Sequence, residues 1–167
     1  MLCFRKIDPV QDGTQLYNFL QSQGNCQTLP YQPRFLQQDD FFNWLVNQLR
    51  GCYHDFFLIE DSASDCIKGF LLAFDYRPYD GNCQVTGYAD CDINHLLLGQ
   101  FVDFLFREYP LNKVFLETVD SQEVLIRAAE ELGFIREAVL SAYKFISGDY
   151  QDMLILGLNP QKRREVS

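Results

Sequence analysis

The chain has only two histidines, one tryptophan and two methionines among 167 residues. No apolar run reaches the ~18–20 residues that span a bilayer. The amino end, MLCFRKIDPV, has no apolar core of a secretory signal. These absences set the expectation of a cytoplasmic chain with reduced thiols. Its six cysteines, at 3, 26, 52, 66, 83 and 91, are scattered. None lies at metal-ligand spacing, so a Cys/His zinc site is not expected, nor any other metal. Basic residues are also few: 14 Lys and Arg against 23 Asp and Glu, a net charge of −9. That balance argues against a surface for nucleic-acid phosphates and suits a basic or amine-bearing partner. The basic tail QKRREVS reads as a solvated chain end.

What is present is ordinary for a globular domain: 47% hydrophobic and 22% charged residues. The length fits one domain, residues 1–167, with room for a real core. Aromatics stand out at 15%, with 15 Phe and 9 Tyr. They supply either an aromatic-rich core or an aromatic-lined pocket.

The stretch from Cys83 to Phe134 organises the rest. CQVTGYAD (83–90) reads as a strand, INHLLLGQFVDFLFRE (93–108) as a buried helix, and KVFLETV (113–119) as a second strand. A strand, helix and strand of these lengths make a βαβ crossover, so the two strands are expected to be parallel. SQEVLIRAAEEL (121–132) follows as a helix closed by Gly133. Ligands of open α/β sheets sit beyond the carboxyl ends of such strands, which directs attention to loop 89–95 and to Asp120–Gln122.

Upstream, CFRKID (3–8) reads as a strand broken by Asp12-Gly13, and TQLYNFLQSQ (14–23) as a helix burying Leu16, Phe19 and Leu20. GNCQTLPYQPR (24–34) is a proline-bearing connection, either a functional loop or a plain linker. FLQQDDFFNWLVNQLR (35–50) is a helix with Phe41, Trp44, Leu45 and Leu49 as its buried stripe and Gly51 as its stop. Strands 53–61, 66–77 and 83–90 form an antiparallel meander through the turns SASD and RPYDGN. Downstream, strands 137–146 and 150–158 flank a turn at Ser147-Gly148-Asp149.

The order β-α-α-β-β-β-α-β-α-β-β resembles the GNAT family of N-acetyltransferases over nearly the whole chain. Its carboxyl half is most similar to the subgroup that acetylates ribosomal-protein amino termini. The segments that carry the resemblance are FVDFLFREYPLNKVFLETV (101–119), SQEVLIRAAEELGFIREAVL (121–140) with Leu132-Gly133-Phe134, and KFISGDYQDMLILGL (144–158) with Gly148, Tyr150 and Asp152. The resemblance implies an α+β (α/β) acyl-CoA N-acyltransferase fold: one mixed, mostly antiparallel sheet with helices on both faces. It implies transfer of an acetyl (acyl) group from acetyl-coenzyme A to an amine on a small molecule or peptide. It also implies that strands 83–90 and 113–119 splay at their carboxyl ends to admit the pantetheine arm. Two alternatives stand beside this: a binding or regulatory domain that has kept the fold without the chemistry, and an acyltransferase whose donor rides on a carrier protein.

On that resemblance the donor is expected along Tyr88, Ala89, Asp90, Cys91, Ile93, Asn94, His95 and Gln122. A backbone N–H near Tyr88 or Ala89 would polarise the thioester carbonyl. Glu117 and Tyr88 are the candidate catalytic residues, Glu117 as base and Tyr88 as a group orienting the acceptor or acting through water. Thr86 shares Tyr88's face, Tyr143 and Tyr150 are wall candidates, and His54 beside Asp55 is a further candidate base. The family's glycine-rich pyrophosphate loop is replaced by Ala89-Asp90-Cys91-Asp92-Ile93-Asn94. Asp92 reads better as the N-cap of the next helix, and Asp120 with Glu123 as a capping box. Ala129 stands where the family places a tyrosine acid, leaving either space beside the thioester or a small-residue packing contact.

Without loop glycines, and with aspartates in their place, coenzyme A is expected to bind weakly, with a dissociation constant near or above ~100 µM. Calorimetric titration with acetyl-coenzyme A measures it. A sub-micromolar constant would show that this loop grips the pyrophosphate after all.

Overall fold

Seven strands form one sheet in the order β1-β2-β3-β4-β5-β7-β6 in a computed structural model that describes residues 2–22, 37–64, 66–89, 95–146 and 148–161. In chain order the elements are β1 (Leu2–Lys6), α1 (Pro9–Ser22), α2 (Gln38–Gly51), β2 (Tyr53–Asp61), β3 (Cys66–Arg77) and β4 (Asn82–Ala89). They continue with α3 (His95–Glu108), β5 (Lys113–Val119), α4 (Glu123–Glu131), β6 (Ile135–Ile146) and β7 (Asp149–Leu158). Every neighbouring pair is antiparallel except β4 and β5, which are parallel, as the crossover reading requires. The fold class expected from the sequence is the one observed.

Each face of the sheet carries its own core. Cys83, Val85, Val114 and Leu116 pack under α3 and α4 against Leu98, Phe101, Val102, Leu125 and Ala129. Phe56, Leu58, Phe70 and Leu72, on the other face, pack under α1 and α2 against Leu16, Leu20, Phe41 and Leu45. Alternation along each strand sends successive side chains to opposite cores. Each fully buried Phe or Leu contributes roughly 1.5–3 kcal/mol relative to exposure, so neither face is dispensable.

Two expected local features are corrected. Asp12-Gly13 does not break the chain; both lie inside α1, which starts at Pro9. Proline suits a first helical position, and Asp8, expected in the first strand, instead accepts hydrogen bonds from the Val10 and Gln11 N–H groups as a cap. Asp12 is held by a two-pronged bond to Arg5, 2.7 Å at each oxygen, which keeps its carboxyl below the usual range. Gly13 lets the two helices meet, since a Cβ there would come within 3.0 Å of Phe42. Likewise Asp120 and Glu123 form no capping box, because Gln122 is the residue that precedes α4 and no side chain caps it.

Gly69 has a different task. It pairs with Ala89 where β3 crosses the end of β4, and a Cβ there would collide with the Tyr88 carbonyl oxygen and the Ala89 Cα. Only glycine lets β3 hold β4 this closely up to its last residue. Gly69→Ala is expected to lower stability by ~1–3 kcal/mol, as overpacking does. A denaturant midpoint reads this, and an unchanged midpoint would mean the β3–β4 contact relaxes freely.

Candidate active site

The parallel ladder between β4 and β5 is short. It runs from Asn82–Lys113 to Val85–Leu116 and stops, although β4 continues to Ala89 and β5 to Val119. β4 stays paired with β3 through Ala89, so only its β5-facing edge opens. Across the gap the Thr86 hydroxyl donates to the Glu117 carbonyl oxygen at 2.8 Å. Beyond that link lies a crevice lined by Thr86, Gly87, Glu117, Thr118, Val119, Gln122 and Lys144. As it stands it is narrow, with room for roughly one water.

Glu117 sits half-buried in this crevice. Burial raises its pKa above the ordinary glutamate value; Lys144 opposes the rise and Asp75 adds to it. The Gln84 side-chain nitrogen, turned toward the carboxylates, lies 3.1 Å from Glu117 Oε1 and 3.3 Å from Asp75 Oδ2. Asp75 reaches this position through an irregularity in the β3–β4 ladder, where its own φ is 47°. Lys144 is half-buried too, and desolvation lowers its pKa against the attraction of Glu117.

Thr118 is the most telling wall. Its side chain is on the face of the inward-pointing Val114 and Leu116, only 6% exposed, and its hydroxyl has no hydrogen-bond partner among the described residues. A buried hydroxyl without a partner costs on the order of 1–3 kcal/mol, so this atom is suited to meeting a ligand. Gln122 also lines the crevice, and its side chain makes no capping bond to α4.

The other expected site residues fall in several places. The backbones of Tyr88 and Ala89 end the open edge of β4, but the Tyr88 ring packs in the α1–α2 core, 6.0 Å from Phe19. Asp90, Cys91, Asp92, Ile93 and Asn94 lie outside the described residues, as does connection 24–34. His95 begins α3. His54 is at the opposite end of the sheet, edge-on to Tyr76, while its neighbour Asp55 is held by Lys6 and Tyr109. Tyr143 and Tyr150 are 59% and 63% exposed rather than packed in the core. A larger groove of about 480 Å³ runs between α4 and β6–β7, with Asp120, Glu123, Glu130 and Asp152 among its lining residues. Its wall on β7, Asp152 and Leu154, points away from the face that Glu117 shares with Ile155.

Neither Thr118 nor Lys144 was singled out from sequence. Thr118 carried a readable signal, a hydroxyl ending an otherwise aliphatic row. Lys144 carried none, because its place depends on a bulge. Four steps along β6, from Leu140 to Lys144, match two along β7, from Met153 to Gln151. Ala142 takes a left-handed φ of 49° there, and Asp152 Oδ1 accepts its N–H at 2.8 Å. Without the bulge Lys144 would face Asp149, ~7 Å further from the crevice.

Solved structures share this overall fold. The spermidine N-acetyltransferase of Vibrio cholerae, in complex with CoA and spermine, superposes with a TM-score of 0.79 at 18% identity, covering 98% of each chain. The chain has the N-acetyltransferase fold. A dodecameric form of the same Vibrio cholerae enzyme matches at a TM-score of 0.78 and 17% identity, over 96% of this chain and 95% of that one. The ribosomal-protein-S5-alanine acetyltransferase of Vibrio fischeri matches at 0.74 and 16% identity, over 95% and 92%. No family model matches the sequence, and no curated protein sequence does. At such identities the likeness establishes the fold.

Ala129 is completely buried in the α4 core, so no free space waits beside it. Ala129→Tyr is therefore expected to overfill that core and cost ~1–3 kcal/mol. Thermal and denaturant midpoints test this, and a midpoint equal to the parent's would restore the idea of an open space on this helix face.

Proposed function

We propose that the protein transfers an acetyl group from acetyl-coenzyme A to an amine, with the reaction taking place in the crevice where β4 and β5 part. The observation that carries the reading is the early end of the β4–β5 ladder beside a desolvated carboxylate, Glu117, and an orphaned buried hydroxyl, Thr118. The CoA-bound Vibrio cholerae enzyme, with its amine substrate, supports it through the shared fold.

The residues present fit the pantetheine end of such a donor. Past Val85 the β5-facing edge of β4 no longer pairs with β5, which places its backbone groups to bond an extended donor arm. Thr118 Oγ1 and the Gln122 amide offer hydrogen bonds inside the same crevice. When bound, acetyl-coenzyme A would supply an acetyl group activated as a thioester; as the C–N bond forms the C–S bond would break, and coenzyme A would leave as the thiol with the proton that the acylated nitrogen gives up.

An amine is protonated at neutral pH and must lose a proton to become a nucleophile. Glu117 takes it. Its raised pKa brings it nearer the operating pH, where a general base is most effective. The amide of Gln84 orients the carboxylate, and the Thr118 hydroxyl is available to donate to a carbonyl oxygen. Because Glu117 must be ionised to act, activity rises as pH rises through its pKa, above the range of an ordinary glutamate.

Glu117→Gln removes the base while keeping the shape and the contact to Gln84. It is expected to lower kcat by ~10²–10⁴-fold and abolish the acidic limb of the pH–rate profile. Coenzyme A release with a panel of amines, together with acetyl-coenzyme A titration, is the test. Donor binding without turnover on any amine would favour a regulatory domain. Absence of donor binding, with turnover from an acylated carrier protein, would favour the carrier-borne donor.

A further inference from the structure

We propose that Lys144 selects an acceptor carrying a carboxylate beside its amine, an amino carboxylate, over a diamine or polyamine. This deepens the acyl-transfer reading and rests on it.

Lys144 and Glu117 line the same crevice, one ammonium and one carboxylate. Among the described residues no hydrogen bond or ion pair reaches the lysine nitrogen; Glu117 acts on it only through space. A partly desolvated ammonium without an anionic partner is unfavourable, and a ligand carboxylate supplies the missing charge-assisted bond. The backbone is shaped to bring this residue here. The bulge at Ala142 adopts a left-handed conformation that non-glycine residues avoid, Asp152 holds it in place, and its result is to draw Lys144 back toward Glu117.

The surroundings make the lysine decisive. Glu117 and Asp75, bridged by Gln84, provide negative charge that attracts any amine, including a polyamine. Lys144 is the cation in the crevice lining, and it repels a second positive group. A molecule with its amine at Glu117 and its carboxylate at Lys144 satisfies both. A polyamine satisfies one and is opposed by the other.

Matched acceptors test this with the full-length protein: alanine, leucine and phenylalanine against ethylamine, 3-methylbutylamine and phenylethylamine, which lack only the carboxylate, with spermidine as the polyamine. In at least one pair the amino acid is expected to exceed its amine about tenfold or more in kcat/KM, one charged hydrogen bond's worth. Lys144→Met should bring that ratio near one, Lys144→Arg should keep most of it, and Lys144→Glu should favour spermidine. Equal or better use of the amine in every pair overturns the proposal. So does a Lys144→Met protein that loses both members equally, which would mean that Lys144 acts on the acyl carbonyl. The same pairs are titrated calorimetrically without donor, and circular dichroism checks the fold of each variant. A binding preference that depends on Lys144, with no acetyl transferred to any amine, counts against the acyl-transfer reading and upholds the selectivity.

Discussion

The structure depends on two parallel strands that stop pairing before they end. β4 and β5 share four residue pairs and then separate, so from Thr86 onward β4 keeps strand pairing with β3 alone among the described residues. Buried backbone groups without partners are costly, and a sheet interrupted at its centre is tolerated only when something else meets the exposed edge. The rest of the fold secures that interruption. β3 holds β4 up to Ala89 through the glycine at 69, and the Thr86 hydroxyl ties β4 to the Glu117 carbonyl at the point of divergence. β7 runs alongside β5 from Val114 to Val119, so β5 keeps its course without β4.

The two cores give the gap its chemistry. The α3–α4 side is aliphatic along β5 until Thr118, which brings a hydroxyl to the end of that row. The α1–α2 side carries Gln84 and Thr86 on β4, and Glu117 on β5. Under the proposed function, donor-facing and acceptor-facing groups come from opposite faces of the same strands, and the alternation of side chains separates them.

Much of this was legible in the sequence, because it depends on local pattern. KVFLETV gave β5 its observed bounds, Lys113–Val119, and the meander of β2, β3 and β4 followed from alternation punctuated by turn residues. Glu117 came from the family resemblance together with the alternation that sets it opposite the aliphatic row of β5. The misses share a cause. Asp12-Gly13 looks like a turn until Arg5 grips the aspartate and Phe42 packs over the glycine, and both contacts come from elsewhere in the fold. Asp120 and Glu123 have the spacing of a capping box, yet the helix begins after Gln122. Lys144 was invisible because strand register is set across the ladder, and a bulge of this kind has no local signature when its left-handed residue is alanine.

That bulge bears on how the molecule keeps company. β6 is the last strand of the sheet, and Tyr143 and Phe145 stand largely exposed along it, the kind of rim on which foreign strands nucleate. A regular β6 would offer an unbroken row of hydrogen-bonding groups to any extended chain. With Ala142 turned left-handed and its N–H claimed by Asp152, the row is interrupted midway, and a visiting strand loses register after a few residues. The irregularity thus makes the rim a poor template for cross-β growth, and it steers any self-association toward side-chain contacts rather than a continued sheet.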